Sequence, residues 1–70
     1  MNNRDTLIDL MVDNKLERRD VAELLRVERE TVDRWLLPHA AHGHEDVPDM
    51  AVELLTLKLE MRRQGAQSQQ

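Results

Sequence analysis

Between Asn3 and Asn14 the apolar residues Leu7, Leu10 and Met11 recur at helical spacing, with Ile8 and Val12 beside them, which predicts an amphipathic helix. Asn2 or Asn3 is placed to cap its start, Asp5 suits the positive end of its dipole, and Asn14 is a candidate for a left-handed stop. A second segment, Glu17 to Arg26, gathers Val21, Ala22, Leu24 and Leu25 on one side, and a third, from Glu28 to about Leu37, does the same with Val32, Trp35 and Leu36. Pro38 disfavours helix at Leu37 and so closes the third segment. The stretch from His39 to Val47 is loop by composition, and Pro48 suits the first position of a fourth helix reaching about Arg63. From Gly65 to Gln70 nothing is available to bury, so a frayed, disordered tail is predicted. No alternating strand pattern competes, and the predicted fold is all-α, with four to five short helices.

Composition narrows this picture. Seventy residues make one small domain, placed at 1–64, with the tail over 65–70. With one Trp and neither Tyr nor Phe, the core has to be aliphatic and built around Trp35. The absence of Cys excludes a disulfide scaffold, a thiolate metal site and a cysteine nucleophile. No apolar run is long enough for a membrane span, and no basic stretch followed by an apolar block opens the chain, so a cytoplasmic protein is expected. The net charge of −4 argues against binding driven by nonspecific attraction to nucleic acid.

The most informative stretch is RRDVAELLRVERETVDRWLL, from Arg18 to Leu37. Two helices of about ten residues joined by almost nothing must cross steeply. Ala22 is small where the second helix would cross the first, Val27 plugs the turn, and Val32 with Trp35 seats the second helix on the core. In its order of apolar, small, apolar, turn-apolar and two further apolar positions, filled by Val21, Ala22, Leu25, Val27, Val32 and Trp35, the segment resembles the helix-turn-helix of phage-repressor-type (Cro/CI-like) DNA-binding regulators. It departs from that pattern at Arg26, where glycine is usual in a left-handed turn, and at Glu28, where a hydroxyl residue usually caps the second helix.

The resemblance implies that base contacts come from the exposed face at the start of the second helix, which transfers to Arg29, Glu30, Asp33 and Arg34. It places Thr31 near a phosphate, and Arg18 and Arg19, at the opening of the first helix of the motif, on the phosphate backbone as well. From Glu17 to Leu37 there are five Arg and six Asp or Glu, a net charge of −1. Distribution matters more than this sum, and an acidic side chain is able to accept a hydrogen bond from cytosine in the major groove. The bland alternative for each arginine is a surface pair with an acid three or four residues away, such as Arg26 with Glu30 or Arg29 with Asp33.

On the fourth helix Met50, Leu54, Leu57 and Met61 form one stripe, and Ala51, Val52, Leu55 and Leu59 another to one side of it. Together they are too wide for a helix lying on one small core. One stripe is expected to close the core. The other, Met50, Leu54, Leu57 and Met61, is expected to meet a second copy of the chain, the alternative being a monomer with a fully wrapped helix. A homodimer matches the two-fold half-sites that such regulators read. Over Leu7 to Leu59 the architecture is similar to that of small anti-CRISPR-associated repressors, which implies a dimeric autorepressor of a phage or mobile-element operon acting on double-stranded DNA at a palindromic operator.

Other chemistry is thin. His39, His42 and His44 share one loop with Glu45 and Asp46, but His42 and His44 are only two apart and are read as solvated, so no metal ligand and no cofactor are assigned. No Gly-rich phosphate loop and no nucleophile beside a base is present, and no enzyme is expected. The competing class is an acidic protein-binding module, an antirepressor or inhibitor that turns the same helical scaffold toward a basic partner.

Overall fold

A computed structural model of the chain describes residues 2–68. Four helices follow one another, α1 (Asn3–Asp13), α2 (Arg18–Leu25), α3 (Arg29–Leu36) and α4 (Asp49–Ser68), with no strand among the described residues. The fold is all-α, as the periodicity predicts. Asn2 starts α1: its side chain accepts the Asp5 N–H at 2.8 Å. The left-handed residue after α1 is Lys15, at φ 55°, and not Asn14. The Asn14 amide donates instead to the Leu10 carbonyl at 2.9 Å, and the turn passes to the next residue. Leu16 N–H then reaches back to the Met11 carbonyl at 2.8 Å, closing the helix end.

The same closure recurs after α2. Arg26 takes φ 57° and ψ 45°, the left-handed conformation that glycine adopts most readily, and Val27 N–H bonds the Ala22 carbonyl at 3.0 Å. Only Arg26, Val27 and Glu28 separate α2 from α3. Glu17 N–H is held by the Asp20 carboxylate at 2.8 Å, which fixes the start of α2.

The four helices close over one aliphatic core. Leu7, Val21, Val32 and Leu55 are sealed, with Ala22, Leu25, Trp35, Val47 and Leu59 around them, and no polar or charged residue among the described residues joins this core. Trp35 is buried as predicted, in the same cluster as Ala22 and Leu25. The N-terminal turn of α1 laces the far end of the domain. Arg4 donates to the Leu36 and Leu37 carbonyls, at 2.9 and 3.1 Å, satisfying the C-terminal end of α3. Asn3 donates to the Val47 carbonyl at 2.8 Å and to the Asp49 carboxylate at 2.6 Å, where α4 begins.

Pro48 precedes α4 rather than opening it, and its carbonyl accepts from Ala51 and Val52. Of the two stripes on α4, Leu55 and Leu59 are buried and Ala51 and Val52 half-buried against the core, whereas Met50, Leu54, Leu57 and Met61 are all exposed. The helix runs on to Ser68, so its backbone passes Gly65, where the sequence reading begins the tail; each residue added to an existing helix gains a backbone hydrogen bond without a new nucleation cost. Residues 69 and 70 lie outside the described residues. No helix among the described residues is long and apolar enough to cross a membrane.

Candidate nucleic-acid interface

The register of α3 follows from its two buried residues. Val32 and Trp35 are three apart on the core side, so Glu28, Arg29, Glu30 and Arg34 are left exposed and Thr31 and Asp33 half-buried at the margins. The four residues assigned to base contacts, Arg29, Glu30, Asp33 and Arg34, therefore share the outer side of α3, beside the opening of α2.

Their charges are mutually engaged. Arg34 donates to Glu30 at 2.6 Å, one turn back on α3, and to Glu45 of the following loop at 3.3 Å. Arg18 of α2 donates to Asp33 of α3 at 2.9 Å and so bridges the two helices of the motif. Arg19 donates to Glu17 at 2.8 Å; that hydrogen bond, with the added field of Glu17 and Asp20, holds its guanidinium above the usual arginine range. Neither of the local pairs offered as the bland alternative, Arg26 with Glu30 or Arg29 with Asp33, is formed. Arg29 makes no ion pair among the described residues.

Arg18, Arg19 and Arg29 line one open recess with Glu17, where the first turns of α2 and α3 come together. Three guanidinium groups beside two helix N-termini offer the donors and the field that a phosphate oxygen needs. Each pair around the recess is solvent-exposed, so exchanging a carboxylate partner for a phosphate costs little. Thr31, half-buried on α3, lies one turn before Trp35 on the margin of this face.

The sequence gives no signal for Arg4, and it brings His44 and Glu45 forward only as members of a loop whose histidines are expected to be solvated. Glu45 is drawn to α3 through Arg34, with its N–H on the Arg34 carbonyl at 3.3 Å. In the same loop His44 is folded inward and not solvated: its side chain is 8% exposed, with Nδ1 2.9 Å from the Leu37 carbonyl and Nε2 3.2 Å from the Asp46 carboxylate. His39 packs against it with ring centroids 4.6 Å apart, whereas His42 is exposed. Sequence spacing sets aside His42 and His44 as a pair, and the fold joins His39 to His44 instead.

No family model, curated protein or solved structure matches this chain, so its geometry stands by itself.

Proposed function

We propose that this chain is a sequence-specific, dimeric DNA-binding regulator. The observation that carries the reading is the α2–turn–α3 unit. A three-residue turn with Arg26 left-handed and Ala22 buried packs two short helices together, and Val32 and Trp35 turn Arg29, Glu30, Asp33 and Arg34 outward. In this reading α3 enters the major groove of double-stranded DNA. Arg29 and Arg34 take guanine edges, Glu30 and Asp33 accept from cytosine or hold the arginines in register, and Arg18, Arg19 and Thr31 engage the backbone. The exposed stripe Met50, Leu54, Leu57 and Met61 on α4 pairs two copies so that they address the halves of a palindromic operator. The biological role proposed is autorepression of a phage or mobile-element operon in the cytoplasm.

The acidic balance shapes how such a protein works. At a net charge of −4, background attraction to DNA is poor, and affinity has to come from specific contacts. Selection from random duplex DNA at low salt is the direct test, with enrichment of a two-fold motif expected and affinity falling as salt rises. If no motif is enriched, the DNA-binding reading falls.

The second reading, an acidic module that binds a basic protein partner, is favoured by one specific observation. Arg18 and Arg34 are already neutralised by Asp33, Glu30 and Glu45, which leaves the outer side of α3 less cationic than its arginine count implies. Under that reading duplex DNA gives no salt-dependent shift.

A further inference from the structure

The loop between α3 and α4 gathers nitrogen and oxygen donors that the proposed function does not use. One donor atom from each of His39, His44 and Asp46 lies within 4.8 Å of the other two. The Leu37 carbonyl only accepts, so the 2.9 Å contact assigns the proton of the His44 ring to Nδ1. In the neutral ring Nε2 is then a bare lone pair, and it faces a carboxylate oxygen of Asp46, also an acceptor, at 3.2 Å. Either a proton on Nε2 or a metal ion held between the two satisfies that contact. A ring whose other nitrogen donates to a backbone carbonyl is the arrangement that orients a metal-bound histidine. Two ligands held about 2.0–2.1 Å from a tetrahedral zinc ion stand about 3.3 Å apart, close to the separation already present. His39 is exposed, and its ring brings a third donor atom within 4.8 Å of the other two.

We infer that His39, His44 and Asp46 form an open binding site for a borderline divalent transition-metal ion, with zinc as the reference ion and solvent completing the coordination. The ligands come from both ends of the loop. His39 follows Pro38 at the exit of α3, and Asp46 precedes the buried Val47 at the entry to α4, so the ion ties these two helix ends together.

The test uses the full chain stripped with chelator. Zinc sulfate at about 100 times its dissociation constant should raise Tm by on the order of 10 °C. Magnesium and calcium at the same concentration should not, because they prefer all-oxygen sites. Cobalt(II) should give the intense visible absorption of a four-coordinate site. His39→Ala removes an exposed ring and leaves the fold intact, and it should weaken zinc binding at least tenfold. His42→Ala should leave binding unchanged. The inference is overturned if zinc gives no shift, if His42→Ala weakens binding as much as His39→Ala, which would mean scattered surface histidines, or if the cobalt complex has only the weak spectrum of six-coordinate water. Each of these readouts is independent of DNA binding.

Discussion

Trp35 is the residue on which the position of α3 depends most. It is the one Trp in a chain with neither Tyr nor Phe, it is buried with Ala22 and Leu25, and its place beside Val32 decides which residues of α3 face outward. Trp35→Ala should cost about 3–5 kcal/mol, a large share of the roughly 5–15 kcal/mol that holds a domain together. Denaturant unfolding followed by circular dichroism measures this, and a loss below about 1 kcal/mol contradicts the packing. Arg34 tests function at the same scale. Its partners Glu30 and Glu45 are exposed, so Arg34→Ala should change stability by less than about 1 kcal/mol. On the selected operator it should cost about 1–3 kcal/mol and relax preference at one base pair. Equal weakening on all sequences would move Arg34 from base contact to backbone contact.

At the scale of the element, α2 and α3 act as one unit because the turn leaves them no freedom. The unit carries a cost at Arg26, whose left-handed backbone is disfavoured by roughly 1–2 kcal/mol for a residue with a Cβ. Glycine removes that cost but loses more entropy on folding, by roughly 0.5–1 kcal/mol, so Arg26→Gly should stabilise the fold by about 0.5 kcal/mol in a chemical denaturation series. A loss of stability would show that the Arg26 side chain contributes contacts of its own. The Arg18–Asp33 bridge ties α2 to α3 from outside, yet both side chains are about half-exposed, and its contribution to stability is small. Its consequence lies in binding. Arg18→Ala should weaken all duplex sequences alike and flatten the dependence of log affinity on log salt by about one unit. An unchanged salt slope would remove Arg18 from the phosphate contacts.

At the scale of the whole molecule, the outer stripe of α4 is uncovered in a single chain. Met50 and Met61 are 77% and 61% exposed while Leu55 on the same helix is sealed, so the helix has more apolar surface than the core of one chain can use. Leu57→Glu should give a folded monomer in light scattering, with the circular dichroism of the native chain and a large loss of operator affinity. A folded dimer after this substitution would place the interface elsewhere. Unfolding without a monomer would return the stripe to the interior.

Periodicity alone was enough to determine the all-α class, the burial of Val21, Ala22, Leu25, Val32 and Trp35, and the division of α4 into two stripes. These are properties of residues three and four apart on one helix, and the 3.6-residue repeat fixes them before any tertiary contact forms. The left-handed turn at Arg26 was expected only through the resemblance to the helix-turn-helix pattern, since nothing in Arg26 itself favours that backbone. What only the tertiary structure decided are the pairings across elements. Arg18 meets Asp33 from another helix, Arg34 reaches Glu45 in the loop, Arg4 closes the end of α3, and His39 joins His44 in place of the nearer His42. Those partners are set by how loops and helix ends meet in space, and long side chains on a surface leave no periodic trace by which their partners could be read.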